Sequence, residues 1–252
     1  MKNLEFYRKG DGKIRLDIFL VNNKYVDSRE KAQRLIKEGK VYVNNQKITK
    51  PSKKVDEKAT IKITETEKYV SRAAYKLLKA IEEFQPKINN KICADIGSST
   101  GGFTQVLLEN DAKKVYCIDS GTNQLHESLR NNEKIVLMEN TNARYLRKED
   151  FEPVEFFTSD VSFISITKII PSIKEITANN AEGIILIKPQ FELEPSKLSK
   201  GIVKKDEYRE EAIKKVFNSL IENGFEIKGM VESPIRGKDG NIEYLVYIKK
   251  IN

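Results

Sequence analysis

Three glycines fall within the eight residues Asp95-Ile96-Gly97-Ser98-Ser99-Thr100-Gly101-Gly102, where a short apolar run ends at Asp95. A strand that ends in such a turn brings bare backbone N–H groups against a ligand. The spacing tests two nucleotide chemistries. A phosphate-gripping loop, G-x-x-x-x-G-K-[ST], needs a lysine where Phe103 stands, and without it the phosphates lose their counter-charge. A dinucleotide turn, G-x-G-x-x-G, needs a glycine where Ser99 stands, so the backbone cannot approach a pyrophosphate in the usual way. What remains is an acid followed by a glycine turn. A second acid, Asp119, closes the next apolar run 22 positions after Gly97, where a carboxylate accepts hydrogen bonds from a ribose diol.

S-adenosylmethionine (SAM) has a ribose and an amino acid but no phosphate, and it suits this pair. Its ammonium and carboxylate can meet Asp95 and the N–H groups of Gly97, Ser98, Ser99, Thr100, Gly101 and Gly102. Asn142, in Met-Glu-Asn-Thr-Asn-Ala-Arg, either lines an adenine pocket or stabilises its own loop. The spacing of turn and acid looks like that of a SAM-dependent methyltransferase. A structural turn in another doubly wound enzyme is the alternative.

Methyl transfer from a sulfonium is an in-line displacement, in which the acceptor must be aligned and its proton removed. For a ribose 2′-hydroxyl a neutral lysine is a usable base, once desolvation or a second ammonium brings its pKa down from about 10.4. Four residues could form such a set. Asp160 ends the run Phe-Phe-Thr-Ser-Asp, and Lys188 ends Leu-Ile-Lys-Pro. Chemistry gathers beyond the carboxyl ends of parallel strands, and a lysine between an apolar strand and a proline has little use in packing. Lys76 lies off the apolar stripe of the helix before the sheet. Glu243 opens the last alternating strand.

These residues need a frame. From Tyr69 onward, strands and helices alternate, which predicts an α/β fold, doubly wound around a mostly parallel sheet. The segments Phe225–Glu232 and Asn241–Ile248 follow with only a short turn between them, which predicts a closing antiparallel pair. A helix from Ile164 to Ile176 is expected, with Pro171 as a possible kink, and another over Asn123–Arg130, around the single His126. Residues 14–63 read as a separate α+β unit: Leu16, Phe19 and Leu20 at helical spacing, then a helix capped by Asp27 or Ser28 and stopped by Gly39, then a hairpin at Asn44-Asn45. Residues 64–68 read as a polar linker, and residues 69–252 as the methyltransferase unit.

Charge divides along the same line. Residues 1–63 carry 17 Lys and Arg against 8 Asp and Glu; the remainder carries 28 against 29. A basic module on a neutral body suggests a partner with a phosphate backbone. No apolar run approaches the ~20 residues that span a bilayer, and Met1–Lys13 has no apolar core of a secretory signal. Two cysteines inside apolar runs, Cys93 and Cys117, read as buried thiols of a reducing cytoplasm. With one histidine and two cysteines, no metal site is expected.

The segments Arg-Leu-Asp-Ile-Phe-Leu-Val-Asn-Asn, Ser28–Ile48 and Ala59–Ile63 resemble the alpha-L RNA-binding motif. It implies phosphate contacts from Arg15, Arg29, Lys31, Arg34 and Lys37, the last four read as the exposed side of the second helix. The segments Tyr69–Ala80, Ala94–Leu108, Val115–Arg130, Ser159–Ile166, Leu186–Glu192 and Gly240–Ile248 resemble the TlyA family, which is similar to the RrmJ/FtsJ class of ribose 2′-O-methyltransferases. This resemblance spans nearly the whole chain. It implies a Rossmann-like methyltransferase sheet, SAM as cofactor, ribosomal RNA or a ribosomal subunit as partner, and a Lys-Asp-Lys-Glu tetrad. By motif position the tetrad falls on Lys76, Asp160, Lys188 and Glu243. Lys188 is implied as the proton acceptor, Asp160 and Glu243 as its orienting carboxylates, and Lys76 as a substrate-positioning amine. Two departures are Ser120, where an aliphatic residue is more usual, and the N-terminal stretch before the basic module. Two other readings are an RNA-binding assembly factor without turnover and, from the family's older name, a membrane-damaging protein.

Overall fold

The computed structural model describes residues 13–64, 68–237 and 239–251. The reading of Met1–Lys13 as lacking a leader, and most of the linker reading, lie outside the described residues. The chain divides into two compact units between Lys68 and Tyr69.

The first unit contains β1 (Lys13–Arg15), α1 (Leu16–Asn22), α2 (Arg29–Lys37), β2 (Val41–Val43), β3 (Gln46–Ile48), β4 (Lys54–Asp56) and β5 (Ile61–Ile63). Ser28 caps α2 by accepting Lys31 N–H at 3.2 Å, and Gly39, at φ +69°, ends it in the left-handed region that favours glycine. Asn44 and Asn45 both take positive φ, 49° and 65°, the backbone a two-residue hairpin demands. The resulting β2–β3 hairpin is extended by β5 on the other side of β2. A second small sheet, β1 with β4, is absent from the sequence reading: three-residue strands are too short for alternation to show. Leu16, Phe19, Leu20, Ala32, Leu35, Ile36 and Val41 form the core.

The second unit contains α3 (Ala74–Phe84), β6 (Ile92–Ile96), α4 (Gly102–Glu109), β7 (Lys114–Ile118), α5 (Glu127–Arg130), β8 (Ile135–Met138), β9 (Val154–Ser159), α6 (Ile170–Ile176), β10 (Thr177–Ile187), α7 (Pro189–Glu192), α8 (Asp206–Glu222), β11 (Phe225–Glu232) and β12 (Tyr244–Lys250). Seven strands make one sheet in the order β11-β12-β10-β9-β6-β7-β8. The five strands from β10 to β8 are parallel, and β12 pairs antiparallel with both β10 and β11. Successive β6 residues serve opposite layers. Ala94 and Ile96 join a core with Ile170 and Ile173 of α6 and Val216 and Leu220 of α8. Cys93 joins a second core with Leu77 of α3 and Phe103 and Val106 of α4. The α/β, doubly wound expectation holds, as does the closing antiparallel pair.

The chain runs from β6 outward through β7 and β8, then returns to place β9 on the other side of β6. The strand order therefore reverses between β6 and β9, and a crevice opens beyond their carboxyl ends. Two local expectations are corrected. Pro171 does not kink a helix: a 3-10 turn at Ile166–Lys168 precedes α6, and the proline sits in the first turn of α6, where its missing N–H costs nothing. The helix expected around His126 shortens to Glu127–Arg130, with the His126 ring accepting Ser128 N–H at 3.2 Å as its cap.

Candidate active site

The turn after β6 is built from left-handed backbone: φ is +83° at Gly97, +46° at Ser99 and +93° at Gly101. A Cβ on Gly97 would lie 2.9 Å from the main-chain oxygen of Asp160, so only glycine lets the β6 and β9 ends come this close. A Cβ on Gly101 would strike Leu125 and Leu129. Gly101 is the N-cap of α4 and lies behind the cleft wall.

A cleft of about 450 Å³ opens here, walled by Gly97, Ser99, Asp119, Asn142, Asp160 and Phe163 among others. A neighbouring space of about 300 Å³ is lined by Ser71, Ser98, Thr100, Gly102, Asp160, Ser162 and Lys188. Asp119 terminates β7, and its carboxylate accepts Ser99 N–H at 2.8 Å and Gly121 N–H at 2.7 Å. It thereby ties the turn to the next strand while still facing the cleft. Asn142 lines the cleft and stabilises its own loop, capping the following 3-10 turn by accepting Arg144 N–H at 3.1 Å.

Asp95 stands elsewhere. Expected at the donor's ammonium, it is fully buried, and its two oxygens accept the hydroxyls of Thr104 at 2.7 Å and Thr158 at 3.0 Å. It faces the core beneath the turn, and burial, against the pull of those hydroxyls, pushes its carboxyl up to about 6.

The four tetrad candidates come together in one chain of ion pairs, of which Asp160 and Lys188 line the 300 Å³ space. Asp160 sits one residue past β9, its two oxygens facing different ammoniums: Oδ1 lies 2.7 Å from Lys188 Nζ and Oδ2 lies 3.3 Å from Lys76 Nζ. Lys76 Nζ also donates to Glu243 Oε2 at 2.8 Å, and Lys188 Nζ donates to Ser162 Oγ at 2.7 Å. Lys76 and Lys188 are each 8% exposed and Glu243 is 2% exposed. Glu243, expected as an orienting carboxylate of Lys188, instead bonds Lys76, so its link to Lys188 runs through Lys76 and Asp160. α3 is the reason: it turns Lys76 away from solvent and into the gap between the ends of β9 and β12.

The electrostatics follow. Burial works against the Lys76 ammonium, but Asp160 and Glu243 outweigh it and the net direction is upward. Burial also works against the Asp160 carboxylate, and Lys188 and Lys76 reverse it, so its pKa lies below the ordinary value. Lys76 is thus held as a cation and Asp160 as an anion. Ser162 and Ser71, unforeseen at this site, lie in irregular backbone that carries no periodic signal.

The residues fit SAM: a wall with no side chain at Gly97, a carboxylate at Asp119 for ribose hydroxyls, and cleft-facing backbone at Ser98, Ser99, Thr100 and Gly102 for an amino-acid end.

Comparison with known proteins agrees with this arrangement. Residues 69–250 match the FtsJ-like methyltransferase family, and residues 14–61 match the S4 domain. The chain belongs to the TlyA branch of the FtsJ-like methyltransferases. Hemolysin A of Brachyspira hyodysenteriae is 47% identical, over 93% of this chain and 99% of that one. The 16S/23S rRNA (cytidine-2′-O)-methyltransferase TlyA of Mycobacterium tuberculosis is 36% identical, over 94% and 90%. A structure solved under the name of a hemolysin, from Streptococcus thermophilus, superposes with a TM-score of 0.78 at 37% identity, over 96% and 90%.

In the S4 unit, two of the four basic residues expected on the exposed side of α2 are drawn back. Lys31 pairs with Asp27 at 3.2 Å and Arg34 with Glu38 at 3.9 Å, each along the helix at i,i+4, and both are half-buried; Arg29 and Lys37 are exposed. Arg15 and Arg29 converge on fully buried Asp17, at 2.9 and 3.0 Å, and Gln33 Nε2 donates to the same carboxylate at 2.8 Å.

Proposed function

We propose that this protein transfers a methyl group from SAM to a ribose 2′-hydroxyl of ribosomal RNA, with cytidine as the nucleoside. The observation that carries it is the convergence of Lys76, Asp160, Lys188 and Glu243 beside the cleft of Gly97 and Asp119. Family membership and the names of the relatives support the substrate class.

SAM, when bound, supplies an electrophilic methyl group. The chain's own part begins with holding: Asp119 would accept the ribose hydroxyls, and the backbone of Ser98, Ser99, Thr100 and Gly102 would meet the amino-acid end. Lys188 removes the proton of the acceptor hydroxyl. Asp160 fixes the Lys188 amine from one side and Ser162 from the other, so the base cannot rotate away. Lys76, kept cationic by Glu243 and Asp160, aligns the acceptor oxygen. The S4 unit supplies phosphate contacts through Arg15, Arg29 and Lys37, which fix register without reading sequence.

The test is direct. Purified protein is incubated with methyl-labelled SAM and separated ribosomal subunits, and the RNA is digested to nucleosides. Label is expected in 2′-O-methylcytidine. Unlabelled RNA, from subunits that a control enzyme does label, would overturn the proposal. Among the described residues no helix is long and apolar enough to cross a membrane, and nothing at the site favours a lytic activity.

A further inference from the structure

The loop that carries Asp160 is irregular from Asp160 to Ser165, yet it forms one wall of the cleft and delivers Ser162 to Lys188. Its start is held by the sheet, where Asp160 N–H donates to the Ile96 carbonyl at 3.0 Å. Past that point Val161 and Ile164 pack against the core, and polar and ring contacts tie the loop to one five-residue stretch, Lys188 to Glu192. Lys188 Nζ donates to Ser162 Oγ. The Phe163 ring lies 5.4 Å from that of Phe191. At the far end, Ile166 N–H donates to Glu192 Oε1 at 2.8 Å, and Ser165 Oγ donates to Glu192 Oε2.

Glu192 has no other reason to be where it is. Its side chain is 1% exposed, and an apolar residue there would avoid the cost of burying a carboxylate. The acid satisfies two donors at the start of the 3-10 turn Ile166–Lys168: without it the Ile166 N–H would be left without a partner, and Ser165 Oγ would keep only its local bonds to Thr167. Lys215 of α8 donates to the Glu192 carbonyl at 2.6 Å, and its ammonium stands 3.9 Å from the carboxylate. The short element that begins beside the base thus ends on the anchor of the loop opposite.

We infer that Glu192 is a positioning residue for methyl transfer: by anchoring Ser165 and Ile166 it fixes the 160–166 loop, and so sets Asp160 and Ser162 against Lys188 and the cleft wall against the donor. This rests on the cleft being the SAM site.

The experiment uses the full chain, with SAM as the calorimetric probe in the absence of RNA for affinity and with ribosomal subunits as methyl acceptor for turnover. Glu192→Gln keeps one oxygen for Ile166 N–H and an amide for Ser165 Oγ, so it retains the anchor without the charge; Glu192→Ala removes it. At 25 °C Glu192→Ala should bind SAM roughly tenfold more weakly and, at saturating SAM, turn over roughly tenfold more slowly. Glu192→Gln should stay within about twofold of the wild type in both. A purely structural role would lower the melting temperature and leave affinity and kcat at 25 °C unmoved; that result overturns the inference, as do equal losses in both variants. If Glu192→Ala does not fold, Ser165→Ala removes one of the two donors: about threefold weaker SAM binding is expected, and unchanged binding overturns the inference. A wild-type chain that does not bind SAM fails the reading of the cleft itself, a separate outcome.

Discussion

Each unit contains an aspartate that gathers cations, fully buried at Asp17 and mostly buried at Asp160, and the two clusters differ in where those cations end. In the S4 unit, Asp17 collects Arg15 and Arg29, whose side chains remain 39% and 56% exposed. In the methyltransferase unit, Asp160 collects Lys76 and Lys188, whose side chains are 10% and 9% exposed. Arginine offers five donors on a planar fork that is always charged, so part of it can hold Asp17 while the rest meets phosphate. Lysine is a compact ammonium that can lose its proton, which suits a place where a hydroxyl must be deprotonated. Under the proposed function, one carboxylate supports a surface for anchoring RNA and the other orders a reaction.

Substitutions sharpen the contrast. The largest effect is expected at Lys188. Lys188→Ala should cut methyl transfer by about 10³-fold while SAM affinity changes little, read by single-turnover labelling; activity within tenfold of wild type would erase the chemical half of the comparison. Asp17→Ala comes next. It removes charged hydrogen bonds from two arginines and Gln33, and should cost the S4 unit about 2–3 kcal/mol, seen in denaturant unfolding, while SAM binding by the other unit persists. The Asp17 pKa is strongly depressed, chiefly by Arg15, so its contribution is whole above about pH 4 and drains away as the pH falls.

Asp95 is a third buried aspartate, and it gathers no cations. Its pKa, pushed up to about 6, means the folded state binds the proton more tightly than the unfolded chain does. Stability from this group is therefore full below about pH 4 and lost as the pH rises through 6. Asp95→Asn should remove that decline and leave the methyltransferase unit on the order of 2 kcal/mol better off at pH 7 relative to pH 4 than the wild type. Parallel denaturation curves for the two proteins across that range would contradict it. The smallest effect is expected at Ser28: Ser28→Ala should cost about 1 kcal/mol of S4-unit stability through the lost α2 cap, with no change in methyl transfer at saturating RNA.

Much of this frame could be read before any coordinates. The turn at Gly97 and the acid at Asp119 obey fixed spacing, and Asp160 and Lys188 stand where apolar strands end, so local pattern sufficed. Lys76, off the apolar stripe of its helix, and Glu243, at the start of the last strand, carried weaker local marks, and their assignment to one set leaned on the family resemblance. The missed features depend on contacts between distant segments. Asp95 looked like a ligand group because it opens the glycine turn, whereas the hydroxyls that claim it come from Thr104 and Thr158. Glu192 passed unnoticed in Pro-Gln-Phe-Glu, where nothing in sequence announces Ser165 or Ile166 as partners. Lys31 and Arg34 were read as a cationic face although Asp27 and Glu38, four positions away, were already in view.

Lys76 and Glu243 are 167 positions apart in the chain and 2.8 Å apart in space. A half-folded molecule can own a finished glycine turn and still lack its last charge, because that charge arrives only as β12 slides between β10 and β11. Contacts of such long sequence separation are costly to close and tend to form late. Methylation should therefore lag behind donor binding during refolding, and turnover becomes a report that the final strand has found its seat.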